Sequence, residues 1–194
     1  MRSSSTKIWV EGTVIAALAM VLSFIPLTIG SSFSISLGQI PLAVYAFRRG
    51  TKPALFAALI WGLLHFPTSN ISFLSVPQVL IEYPIAFTFA GFTGVTAGKV
   101  RQAMLRGDQT TARTQLIAGA LIGAAARYFW HFVAGWMFWG SYAMWGMSPV
   151  VFSIVMNGIS GLATAAVTVA ALLIIQTKYP TLLIPQDAAE FSAK

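Results

Sequence analysis

Arg127 and His131 stand four residues apart inside an apolar run that continues to Trp139, so on a helix they share one face, with aromatic side chains on either side. Hydrocarbon tolerates ionisable side chains poorly, and within a span they face a protein interior or a wet cavity and mark a functional site. Two other apolar runs carry a polar interruption each, Glu82 beside Tyr83 and Asn157. A carboxylate, a guanidinium, an imidazole, an amide and several Trp and Tyr rings suit recognition of a flat heteroaromatic ligand. A cationic ring would gain further from the aromatic faces, by about 2 kcal/mol when desolvated. Bond-making chemistry has weaker support: the chain has no cysteine, no His-Glu-x-x-His spacing and no acid placed to orient His131 as a base. An intramembrane enzyme is therefore the less favoured class, and neither a metal nor another cofactor is expected.

The elements that must position these residues follow from composition. Of 194 residues 57% are hydrophobic and 9% charged, and mean hydropathy is +0.76, values that fit an integral membrane protein rather than a soluble domain. The length allows about six spans of roughly 20 to 25 residues and one membrane domain, 1–194. The expected spans are 8–29, 39–49, 52–66, 74–98, 114–139 and 150–175. The first is too long for a signal-peptide apolar region and is read as retained. The second and third are short, at most about 21 Å long against a hydrocarbon core of about 30 Å, so the loops 31–37 and 68–75 must fill the outer part of the membrane. Such backbone is tolerated only where protein buries it or it lines a cavity.

The net charge of +7 does not point to nucleic acid, because Lys and Arg lie on one side. All of them except Arg127 fall in the N-terminus, the loops 48–52 and 99–113, and the tail, which six spans place together in the cytoplasm with both termini. By helical rise, Glu82, His131 and Asn157 each lie about 12 Å below the outer end of their spans, with Arg127 one turn deeper. An outward-opening pocket in the outer half of the membrane is expected, with Arg127 beneath Glu82 holding the carboxylate ionised. The alternative is a Glu–Arg pair that only fixes helix register. Gly12 and Ala16, then Thr13 and Ala17, are small pairs four apart, suited to close helix contact within or between chains. Gly94 with Gly98, Gly119 with Gly123, and Gly158 with Gly161 are expected to serve helix packing. Gly94 to Lys99 falls short of a phosphate loop.

The series Arg48-Arg49-Gly50, Ile81-Glu82-Tyr83, Arg127 to His131 with Trp139-Gly140-Ser141-Tyr142, and Met156-Asn157-Gly158, in this order on six spans, resembles the thiamine-specific substrate-binding (S) components of energy-coupling factor (ECF) vitamin transporters. The resemblance covers nearly the whole chain. It implies a multi-pass receptor in a prokaryotic cell membrane that captures thiamine from outside for ATP-driven uptake by a separate coupling module. By the same resemblance, Glu82 and Tyr83 hold the aminopyrimidine, His131 and Trp139 line and stack on the ligand, and Asn157 makes a polar contact. Arg127 stands where the family usually has Lys. The family's first outer loop carries an aromatic lid and an acidic group; here that loop offers Phe33 and Gln39, and no binding role is carried over to it. The implied partners are a transmembrane coupling protein and two ATP-binding cassette ATPases, with Gly12, Ala16 and Ala17 on span one as the contact. A receptor for another small vitamin, such as biotin or a pyridoxine, is the alternative within the class.

Overall fold

The computed structural model describes residues 2–29 and 33–185. Expected features at 30–32 in the first outer loop and in the polar tail at 186–194 lie outside the described residues. Helix α1 spans Arg2–Ser23 and stops well short of residue 29. Pro26 has no N–H to donate, and its ring would meet the carbonyl four residues back. The chain instead leaves the helix and forms β1, Thr28–Ile29, antiparallel to β2, Phe33–Ser34, with Thr28 opposite Ser34. Ser23 marks the helix end: its Oγ donates to the Ala19 carbonyl at 2.8 Å and accepts from Trp61 Nε1 at 3.0 Å.

Helices α2, Gln39–Arg49, and α3, Thr51–Leu64, are as short as the sequence predicts. Gly50 joins them at φ +89°, a conformation that favours glycine and reverses the chain in one residue. The hairpin fills the space that these helices leave. Its backbone is not stranded, because the amides of Ser34 and Ser36 donate to Ser160 Oγ and Thr164 Oγ1 at 3.2 and 3.1 Å.

The fourth helical segment, α4, runs over Val76–Leu105, seven residues past the expected end at Gly98. Ser75 caps its start by accepting from Gln78 N. It is not uniform: Ile81–Ile85 forms one wide π-type turn around Pro84, and Ala90–Thr96 tightens to a 3-10 helix. The tight stretch carries Gly91 and Gly94 against α3, where a Cβ would lie 2.5 Å from Leu55 N and 2.7 Å from Thr51 N. Residues 99–105, expected in a polar loop, are helical, and Arg101 donates from Nη1 to the last carbonyls of α2, Phe47 and Arg48. Helix α5 spans Gln109–Phe138 and α6 Pro149–Lys178. α5 begins five residues before the expected Thr114 because Asp108 caps it, accepting from Thr111 N at 2.9 Å, and hydrogen bonding from the side chain and then the backbone of Thr111 holds the carboxyl below its usual range.

Four of these helical segments are long and apolar enough to cross a membrane, and large apolar side chains such as Leu121, Ile122, Phe129, Ile154 and Leu162 face outward. The fold is an all-helical membrane fold, with the short hairpin as the one strand pair among the described residues. Two of the three expected partner-contact residues do not face out. Ala16 is fully buried among Leu42, Tyr45 and Trp61, and a Cβ on Gly12 would lie 2.7 Å from the Tyr45 hydroxyl. Only Ala17 of the three is exposed, because the buried stripe of α1 packs on α2 and α3. The glycine pairs divide as well: Gly94, Gly119, Gly123 and Gly161 meet neighbours, whereas Gly98 and Gly158 face open space.

This contrast predicts opposite outcomes for one substitution. Gly91→Ala should destabilise the fold by about 1–3 kcal/mol through overpacking against Leu55. Gly98→Ala should leave the melting temperature of detergent-purified protein unchanged or raise it, since it only restricts the unfolded chain.

Candidate functional site

A cavity of about 490 Å³ opens among α3, α4, α5, α6 and the segments 24–28 and 34–36, within the range of about 300–1,000 Å³ usual for small-molecule sites. Glu82, Tyr83, Arg127, His131, Trp139 and Asn157 all line it, so the structure brings together every candidate site residue. The wide turn at Ile81–Ile85 carries the first two. A proline ring within a regular helix clashes with the preceding turn, and the wider turn accommodates it. The turn packs closely on α3 at Gly62, where a Cβ would lie 2.6 Å from the Tyr83 carbonyl.

Glu82 is half-buried and has no cationic partner among the described residues. One carboxylate oxygen accepts from Trp139 Nε1 at 2.6 Å and the other from Gln78 Nε2. An ionised carboxylate can accept about four hydrogen bonds, so the network leaves capacity toward the cavity. Gln78, fully buried, is the hinge of that network. Its Nε2 also donates to Ser72 O at 3.0 Å, and its Oε1 accepts from Leu74 N at 3.0 Å, which ties the outer loop to Glu82. Tyr83 reaches the same loop, its hydroxyl accepting from Ser72 N at 2.8 Å.

Arg127 does not pair with Glu82. Its Nη1 donates to Ser36 Oγ at 2.9 Å and Gln39 Oε1 at 3.2 Å, and its guanidinium carbon sits 4.0 Å from the centre of the Phe87 ring and 4.8 Å from that of Trp61. The expected pairing fails because the turn at 81–85 directs Glu82 to Gln78 and Trp139, while α2 and the hairpin supply Arg127 with neutral acceptors. His131 stands between the rings of Phe87 and Tyr128, with centroids 6.0 and 5.5 Å away. Asn157 donates from Nδ2 to Ser153 O and Oγ at 3.0 and 3.2 Å, which turns its amide oxygen away from these protein partners.

Sequence reasoning missed several wall residues. His65 ends α3, is buried, bonds the Trp61 carbonyl through Nδ1 at 3.0 Å and packs on Tyr83 and Phe87. A polar residue closing a short apolar helix was the available signal. Gln78, four residues before Glu82, had the spacing of a helical polar pair. Phe24 to Thr28 and Ser34 to Ser36, to which no role was carried, form part of the wall. No sequence signal marks them, since they reach the cavity only through the hairpin.

Comparison with known proteins gives concordant likenesses. The family described as "Thiamine transporter protein (Thia_YuaJ)" matches residues 9–184. The chain is 39% identical over 188 residues to thiamine transporter ThiT of Lacticaseibacillus paracasei, covering 95% of this chain and 94% of that one. Against thiamine transporter ThiT of Bacillus subtilis, identity is 28% over 151 residues, or 76% and 79% of the two chains. A solved structure of ThiT from Listeria monocytogenes superposes with a TM-score of 0.92 at 48% identity, covering 94% of this chain and all of that one.

The Gln78 network sets a prediction independent of any ligand. Gln78→Leu keeps the volume but strips partners from Ser72 O, Leu74 N and Glu82, so it should lower stability by about 1–3 kcal/mol, read as a fall in melting temperature.

Proposed function

Because this chain belongs to the thiamine transporter family, matched over residues 9–184, we propose that it is the thiamine-binding subunit of an importer of the energy-coupling factor type. It is a multi-pass cell-membrane protein. In this reading thiamine enters the cavity from outside, and ATP is hydrolysed not on this chain but on two ATP-binding cassette subunits joined to it through a transmembrane coupling protein. In this reading the termini and the cation-bearing segments 48–52 and 99–113 face the cytoplasm, and the cavity opens on the other side.

One observation carries the substrate assignment. Among the described residues no cation pairs with the Glu82 carboxylate, in a cavity lined also by the rings of Tyr83, Phe87, His131 and Trp139. An aminopyrimidine offers exocyclic amino N–H donors to such a carboxylate, and a cationic thiazolium gains from the faces of Tyr83, His131 and Trp139. Trp139 does double work: its indole N–H holds Glu82 at 2.6 Å, and its ring lies 5.3 Å from Tyr142 at the cavity rim. Asn157 supplies the amide opposite. Arg127 serves by fixing the first outer segment through Ser36 and Gln39, a different role from supporting Glu82. On α1, Ala17 and the exposed Val10, Val14, Leu18 and Val21 are the surface left for the coupling protein.

Titration of purified protein with thiamine should quench tryptophan fluorescence saturably. Glu82→Gln removes charge-assisted hydrogen bonds and should raise Kd about 10- to 100-fold. A saturable response to a different vitamin with none to thiamine would overturn the substrate, and an unchanged Kd in Glu82→Gln would overturn the role given to that carboxylate.

A further inference from the structure

Another hollow, of about 480 Å³, lies outside the cavity along the face where α5 and α6 run side by side. It extends from Leu121 to Phe132 on α5 and from Ile154 to Ala165 on α6, about 17 Å of rise on each helix. Apart from Tyr128 and Asn157, its lining among the described residues is apolar, and Phe129 and Leu162 on its rim are exposed. Gly158 keeps the groove open. A Cβ there meets no atom of the described residues within 4 Å, so this glycine serves no helix packing. Gly161, one turn on, does: a Cβ would lie 3.0 Å from Tyr128 Cγ.

Depth and width together define what fits. The groove starts about 9 Å from the outer end of α5 and stops about 18 Å from its inner end, which places it within the hydrocarbon core. An apolar void at that depth forfeits dispersion contacts along its whole lining unless an apolar group enters. Spread over about 17 Å of length, 480 Å³ leaves a mean cross-section of about 28 Å². An α-helix with its side chains is about 10–12 Å across and needs at least about 80 Å². An extended polymethylene chain, its carbons in contact at about 3.5–4.0 Å, needs about 20 Å². The groove matches one such chain and is too narrow for the body of a helix.

Two residues belong to both hollows. Tyr128 and Asn157 line the groove on one side and the ligand cavity on the other. The Tyr128 hydroxyl lies 2.8 Å from Thr164 Oγ1, and that same oxygen accepts from the Ser36 amide of the hairpin at 3.1 Å. An occupant of the groove therefore bears on the partition and, through Thr164, on the segment that walls the cavity.

We infer that the groove between α5 and α6 is a binding site for one acyl chain of a membrane phospholipid, seated against Tyr128 and Asn157 from outside. The site depends on the membrane class of the chain and not on its ligand.

The test places the full chain in nanodiscs that contain a trace of phosphatidylglycerol with a diazirine in one acyl chain. After illumination, the labelled peptides are mapped by mass spectrometry. Labelling of 121–132 and 154–165 should exceed that around the exposed Val10 and Val14 of α1 about fivefold or more. It should fall to the α1 level in Gly158→Phe and in Ala125→Phe, which fill the groove from its two helices, and persist in Gly98→Ala. The comparison with α1 in the wild type decides even if a filled variant does not fold. Equal labelling of groove and α1, or labelling that both filled variants leave unchanged, overturns the site. A wild-type dimer in native mass spectrometry that both filled variants dissociate assigns the groove to a second copy and overturns the acyl chain.

Discussion

Within hydrocarbon no water is available to satisfy a polar group, so each amide, carboxylate or guanidinium that leaves regular helix must find a protein partner. The outer half of this molecule is arranged around that constraint. Helices α2 and α3 are too short to cross the membrane, and the hairpin that completes their path is held by hydroxyls of α6, at Ser160 and Thr164. The same requirement joins Ser36 and Gln39 to Arg127, and Ser72, Leu74 and Glu82 to Gln78. Ser36, Ser72, Glu82, Arg127 and Ser160 of the cavity wall therefore take part in the same bonds that make non-helical backbone tolerable.

The break in α4 shows how a local irregularity becomes a site. A regular helix through Ile81–Ile85 would have to carry Pro84 in its interior, with a lost hydrogen bond and a ring clash. The wide turn removes that conflict, and it lies where Glu82 meets Trp139, just past the end of α5, and Tyr83 packs near His65 and Phe87. Just inward, the 3-10 stretch with Gly91 and Gly94 lets α4 approach α3 to backbone contact. The two irregular stretches let one chain segment carry a polar wall outside and a close-packed wall inside.

At the opposite end the clustered cations tie helices together. Glu11 of α1 accepts from Arg48 and Arg49 of α2; Arg48 Nη1 reaches the carbonyls of Thr181 and Ile184 at 2.9 and 3.0 Å, and Arg101 donates to the end of α2. Cations at a helix C-terminus meet unpaired carbonyls and a favourable dipole, which adds order where the membrane gives none.

Hydropathy and the one-sided distribution of Lys and Arg carried the membrane class and the count of helical segments, because burial in lipid acts on composition and length alone. The rarity of polar residues in apolar runs was enough to single out Glu82, Arg127, His131 and Asn157, since a membrane makes such residues expensive wherever they occur. Which of them face one another was decided only by tertiary structure. Helical rise gives depth but not rotation, so it placed Arg127 near Glu82, while the turn at Pro84 sends Glu82 to Gln78 and Trp139. The internal use of Gly12 and Ala16 and the part of segments 24–28 and 34–36 in the cavity wall were equally out of reach. They depend on contacts between residues far apart in the chain, for which one sequence carries no local signal.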